Sequence, residues 1–221
     1  MDSSRLEHRF FERYLDIDFD NLYEFLLEKE QQILNGEFPG MSKDFVGSFI
    51  QEKVSISQKL LGYYNIFQLN HPAFHELYCA VRDMAKEACE YYGYDFKQQK
   101  YYIQGWFNIE ESENLGIDRK SDEEIIAGLH EHSGGHGMPD LHGYFCVFAE
   151  PSLTHYQING ETLFDNVNKN GRAILSETGH PHSRGVWNNT EKRRITIAYD
   201  TRSFNDILDR DNVSQHWIPL G

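Results

Sequence analysis

An α+β fold, with leading helices that buttress strands closed as a double-sheet jelly roll, is what this sequence predicts, and two observations carry the prediction. Apolar residues recur at helical spacing in the first hundred residues and at alternating spacing from Lys100 onwards. Short β-prone runs then follow one another between turn residues, the pattern of strands that must cover each other's apolar faces. No linker, internal repeat or low-complexity tract divides the 221 residues. One domain is therefore expected, with a mainly helical preface at 1–98, a jelly-roll core at 99–203 and a C-terminal tail at 204–221.

The elements follow in chain order. Leu22, Phe25, Leu26 and Ile33 lie on one helical face after Asp20, and Asn35-Gly36 supplies a left-handed stop, which predicts a helix over 21–34. Phe74, Leu77, Tyr78, Val81, Met84, Ala85 and Ala88 form a second stripe, opened by Asn70-His71-Pro72 and closed at Gly93, for a helix over 71–92. From Lys100 the period is two, with Ile103, Phe107 and Ile109 on one face and Tyr102, Gln104, Trp106 and Asn108 on the other. A short helix is predicted at Asp122–Ala127 and strands at Leu141–Ala149, Arg172–Leu175 and Arg194–Tyr199. Segments 111–128 and 150–170 read as loops that contact a substrate, and Trp217-Ile218-Pro219-Leu220 as an apolar tail.

Composition narrows the partners. A formal net charge of −14 works against binding nucleic acid or an anionic membrane, so a small molecule or a basic protein segment is the expected partner. No stretch reaches the roughly 18 apolar residues a membrane span needs, and the N-terminus lacks a basic-then-apolar leader, which predicts a cytoplasmic protein. Cys79, Cys89 and Cys146 match neither a CxxC pair nor a disulfide framework and read as reduced core thiols.

Histidine is the anomaly. Seven of the eleven (His130, His132, His136, His142, His155, His180 and His182) fall in one window. On an extended backbone His130 and His132 share a face and can bind one metal together. His182, in Gly179-His180-Pro181-His182, returns to that pair if the strands fold back across a barrel, giving a facial triad with open positions of the kind that suits Fe(II). Twelve residues on, Arg194 and Thr196 share a strand face, and a guanidinium beside a hydroxyl is a receptor for a carboxylate. Arg193 and Arg184 compete for that role, but Arg193 points to the other face. His136, His142, His155 and His180 individually read as structural or surface residues, although His142 shares a face with Tyr144 and can reach a ligand or substrate. Asn108 is a polar group that would be costly to bury idle.

Together these segments resemble the 2-oxoglutarate and Fe(II)-dependent oxygenases, in particular their prolyl-4-hydroxylase-like bacterial and phage branch. Trp106-Phe107-Asn108-Ile109, His130-Glu131-His132, Leu141 to Val147, and His182 to Asp200 carry the likeness over roughly residues 100–200. The resemblance implies a double-stranded β-helix (cupin-like) core, a hydroxylase that oxidises a small-molecule, amino-acid or peptidyl substrate with O₂, and ascorbate as a stimulant. It also implies iron held by His130 and His182, and 2-oxoglutarate held by Arg194 and Thr196 with Asn108 and Tyr144 close by.

The sequence departs from the family where a ligand carboxylate is usual, because that position is His132. Three readings stay open: His132 completes a three-histidine triad, Asp140 loops back as the carboxylate, or His132-Ser133-Gly134 leaves the position to an exogenous ligand such as chloride, as in halogenases. Two further functions also remain, a cupin-like three-histidine dioxygenase that uses no 2-oxoglutarate, suggested by Gly179 and His182, and a jelly-roll binding module with a structural zinc.

Overall fold

The computed structural model describes residues 9–49, 55–113, 115–132, 140–158, 160, 162–178, 180–204, 207 and 216–221. The preface comprises β1 (Phe11–Tyr14), α1 (Phe19–Leu34), α2 (Lys43–Gly47), α3 (Ile56–Lys59), a 3₁₀ turn at Ile66–Gln68, α4 (Pro72–Tyr92) and α5 (Phe96–Gln99). The remainder comprises β2 (Tyr101–Glu110), α6 (Asp122–Ala127), β3 (Leu141–Phe148), β4 (Leu153–Ile158), β5 (Thr162–Val167), β6 (Arg172–Glu177), β7 (His182–Arg184), β8 (Arg194–Ser203) and β9 (Ile218–Pro219).

Local chemistry explains the helix boundaries. Asp18 caps α1 by accepting from the Asn21 amide, and α4 begins with Pro72 behind a His71 side-chain cap and stops at Gly93, whose φ of 78° suits a residue without Cβ. Ser121 and Glu124 form a reciprocal capping box on α6. The predicted stripes are the buried faces: Leu22, Leu26 and Ile33 of α1, and Phe74, Leu77, Val81, Met84, Ala85 and Ala88 of α4.

The strands form a six-stranded sheet in the order β1-β6-β3-β8-β2-β9 and a three-stranded sheet in the order β5-β4-β7. On the large sheet the pleat sorts side chains cleanly. Ile103, Phe107, Leu141, Phe145, Ala173, Leu175, Ile195, Ile197 and Tyr199 join the helices in the main core. The opposite face carries polar residues, and a smaller apolar cluster of Tyr144, Cys146, Ile174 and Tyr156 links the two sheets. This is the predicted α+β jelly roll with helices against one sheet.

Several boundaries differ from the reading of the sequence. The helical preface contains the strand β1, and the segment 150–170, read as a loop, contains β4 and β5. Their alternation was hidden because inward positions carry Thr154 and Asn166, which are buried through hydrogen bonds rather than by being apolar. The last long strand runs on from Tyr199 to Ser203, and Ile218 pairs with Ile103 of the same domain. Cys89 and Cys146 are buried free thiols, whereas Cys79 is partly exposed. Among the described residues no helix is long and apolar enough to cross a membrane.

Candidate metal centre

The inward face of the large sheet is ordered in rows, because directly opposed residues on paired strands share a face. Gln104, Asp200, His142 and Ser176 form one row across β2, β8, β3 and β6. Trp106, Ala198, Tyr144 and Ile174 form the next, and Asn108 and Thr196 belong to the one beyond. Glu110 and Arg194 face each other at the far end. His142 and Arg194 therefore lie toward opposite ends of one face of the large sheet.

The three predicted metal-binding histidines come together. His130 and His182 exchange backbone hydrogen bonds, His130 N–H to the His182 carbonyl at 3.0 Å and the reverse at 2.8 Å. This bridge brings the end of the segment after α6 beside the start of β7, as required for a distal histidine to meet the first pair. One nitrogen from each of His130, His132 and His182 lies within 4.8 Å of the others. Their ring centroids are separated by 4.5 to 5.7 Å. Burial, then the neighbouring His132, pushes His130 below the usual imidazole range, and burial followed by the other three rings pushes His182 well below it. Neutral imidazoles with lone pairs are what a metal requires.

The structure adds two residues to this group. His142, read as structural or substrate-contacting, stacks on His132 with ring centroids 3.7 Å apart, and its Nδ1 is 2.7 Å from Asp200 Oδ1. The same carboxylate lies 3.3 and 3.4 Å from His132 Nδ1 through its two oxygens. His132, His142 and Asp200 form a second set whose ligand atoms lie within 4.8 Å of one another. Burial and then His132 push His142 down to about 4 despite the pull of Asp200. Burial alone would raise the Asp200 carboxyl, but the hydrogen bonds from His132 and His142 hold it well below the usual range, so the group is anionic. The alternation of β8 had placed Asp200 on the face of Arg194, and a lone acid on an inward strand was the available signal.

Other candidates lie elsewhere. Asp140 is held by Arg202 at 2.8 Å, and its side chain is 1% exposed. His155 faces Asp165 at 2.7 Å on the side of β4 opposite Tyr156. His180 borders the pocket lined by His132, His142, Tyr156, Thr178 and His182. His136, with Ser133 and Gly134, lies outside the described residues, as does Gly179.

Arg194 is buried on the predicted face, with Nη1 2.6 Å from Glu110 Oε2 and Nε 3.4 Å from Ser152 Oγ. Arg184 holds the other oxygen of Glu110 at 3.1 Å, and Arg193 turns away to Glu30 and Glu111. Asn108 Nδ2 reaches Thr196 Oγ1 only at 3.5 Å. Asn108 Oδ1 and the Trp106 indole nitrogen are buried without a hydrogen-bond partner among the described residues. Tyr144 donates to Asn168 at 2.8 Å and receives Asn166 at 3.0 Å.

The residues present fit the two groups implied by the resemblance. An all-imidazole cluster of nitrogen donors suits a divalent first-row metal. The unpartnered indole and amide atoms beside Thr196 and Arg194 suit a polar ligand carrying a carboxylate, provided Glu110 yields.

Fold and site together define a jelly-roll protein with a histidine cluster at the ends of β3 and β7, one strand from each sheet. The fold has a likeness among solved structures. A prolyl-4-hydroxylase from Pseudomonas putida is similar over 89% of this chain and 93% of its own, with a TM-score of 0.50 and 9% identity. The non-haem α-ketoglutarate-dependent epimerase SnoN of nogalamycin biosynthesis is 12% identical over 88% of this chain and 77% of its own, with a TM-score of 0.47. The carbocyclase SnoK of the same biosynthesis is 12% identical over 89% and 80%, with a TM-score of 0.46. The sequence matches no protein-family profile and no curated protein.

Proposed function

We propose that this protein is a non-haem Fe(II)- and 2-oxoglutarate-dependent oxygenase that hydroxylates a small-molecule, amino-acid or peptidyl substrate. The observation that carries the reading is the convergence of His130, His132 and His182, from two separate segments, within 4.8 Å at the mouth of a jelly roll. When bound, iron with O₂ and 2-oxoglutarate supplies the oxidising power, and the co-substrate leaves as succinate and CO₂.

The chain's own residues have four tasks. His130, His132 and His182 hold the metal as neutral donors and leave positions open on the pocket side. Arg194 and Thr196 bind the distal carboxylate of the co-substrate, a charge-assisted contact made stronger by burial. Asn108 and Tyr144 line the space between these ends and orient what lies there. Trp106 and Tyr156, both buried, keep water from the reacting end.

One observation favours a second reading, a three-histidine dioxygenase that uses no 2-oxoglutarate: the carboxylate of Glu110 already occupies Arg194. An anaerobic titration of Fe(II)-loaded protein with 2-oxoglutarate separates the two. The oxygenase reading expects a visible charge-transfer band that is lost in Arg194→Ala. Iron binding without the band supports the second reading, and absence of iron binding removes both.

A further inference from the structure

The histidine triad brings three neutral ligands to a divalent ion and no anion, yet an anion stands immediately behind it. Asp200 sits on β8, directly opposite His142 on β3, and touches two rings of the cluster through their Nδ1 atoms, at 2.7 Å for His142 and 3.3 to 3.4 Å for His132. A ring whose Nδ1–H is given to a carboxylate keeps Nε2 as its ligating nitrogen and becomes a stronger donor. Arg202 is 3.6 Å from this carboxylate and holds Asp140 more closely at 2.8 Å.

We propose that Asp200 is the charge-compensating positioning residue of the metal centre, restoring through the His132 imidazole the negative charge that a carboxylate ligand would have delivered directly. This inference rests on the metal-binding role proposed above. His142, stacked on His132 and fixed by the same carboxylate, locks the ring orientation from the other side. Strand β8 thus takes over a task that the spacing of His130 and His132 leaves undone. The assignment differs from a second metal site at His132, His142 and Asp200, because the 2.7 Å contact already commits the carboxylate to a hydrogen bond with His142.

The test is titration of wild type and Asp200→Asn with Co(II) alone, together with the Fe(III)/Fe(II) reduction potential of each. Asn keeps the shape and removes the charge. One-to-one binding weakened by about 10- to 100-fold, with a potential shifted to more positive values, supports the proposal. Unchanged affinity and potential overturn it, as does complete loss of binding, which would make Asp200 a direct ligand. Failure of the wild type to bind Co(II) or Fe(II) removes the functional reading itself and is a distinguishable result. If Asp200→Asn does not fold, nitrogen-15 spectra of Zn(II)-loaded wild type decide the question: His132 protonated at Nδ1 and metal-bound at Nε2 supports the assignment, and metal at Nδ1 overturns it.

Discussion

Glu110 and Arg194 face each other across β2 and β8 with a carboxylate oxygen 2.6 Å from a guanidinium nitrogen, so the anchor expected to receive a co-substrate carboxylate already holds one. Arg184 grips the other oxygen of Glu110 at 3.1 Å and offers it a place to remain when Arg194 changes partner. A charge-assisted hydrogen bond to Arg194 is worth about 1.5–3 kcal/mol, so Glu110→Gln is expected to tighten 2-oxoglutarate binding by about tenfold or more. Calorimetry on Co(II)-loaded protein measures this, and an unchanged affinity would show that the pair does not compete with the co-substrate.

The proposed metal-binding roles divide the histidines by face. Tyr156 lies opposite His182 and His155 opposite Ser183, so along β4 and β7 alternate residues point into the pocket and away from it. His130→Ala and His182→Ala are each expected to weaken Co(II) binding by at least the roughly 100-fold that loss of an outer-shell partner can cost. His155→Gln, fully buried but turned to Asp165, is expected to leave it unchanged. Titration of the three folded variants is the check, and loss of binding in the last would place the centre elsewhere.

Much of this arrangement is legible in the sequence alone. The stripes of Leu22 and Phe74 gave the helices, and the alternation through Ile103 and Phe107 gave the inner strand, because apolar burial writes a period into the sequence. The meeting of His130 with His182 followed from closing the strands into a barrel. What was not legible depends on pairing across strands: a register places Asp200 beside His142 and Glu110 beside Arg194, and neither opposition has a signature along the chain. β4 and β5 were missed for a related reason, since Thr154 and Asn166 are buried by hydrogen bonding, where hydropathy carries no signal.

Asp140 tests whether a nearby acid is a ligand or a structural partner. Its pairing with the buried Arg202 at 2.8 Å makes it structural. Asp140→Ala removes the nearest carboxylate of a buried guanidinium and is expected to cost about 3–5 kcal/mol in chemical denaturation, while Co(II) affinity of the folded variant stays at the wild-type level. Loss of metal binding at full stability would instead return Asp140 to the ligand set.

Gly143 explains how β3, β6 and β8 lie so closely. An added Cβ would come 2.0 Å from the Ile174 carbonyl and 2.5 Å from the Tyr199 ring. That ring crosses the glycine to donate from its hydroxyl to the Ile174 carbonyl at 2.7 Å. Both obstacles belong to fixed structure, so Gly143→Ala is expected to destabilise the protein by about 3 kcal/mol or more. His142 is the adjacent residue, and the same variant is expected to weaken Co(II) binding by disturbing the Asp200 contact. Denaturation and titration of one preparation measure both effects, and a stable Gly143→Ala protein would refute the packing argument.

The buried histidines set a pH dependence whose sign can be worked out. An imidazole held below its usual value binds fewer protons in the folded chain than in the unfolded one, so stability falls as pH drops below about 6.5. His142, pushed down to about 4, adds this penalty until its own value is reached. At pH 5 its share is about 2 kcal/mol relative to pH 7.5, and His182 adds to it in the same direction. Asp200 contributes oppositely placed behaviour: its carboxyl is depressed, so its stabilisation persists through this window and is lost only in stronger acid. Urea denaturation of the metal-free protein at pH 7.5, 6 and 5 is therefore expected to show a steady decline. His142→Gln, which cannot titrate, is expected to flatten it in part. Saturating Co(II) holds the rings neutral in the folded state and steepens the decline, because protons then compete with the metal only after unfolding or release; a pH-independent stability in all three samples would mean that these rings are solvated and free to ionise.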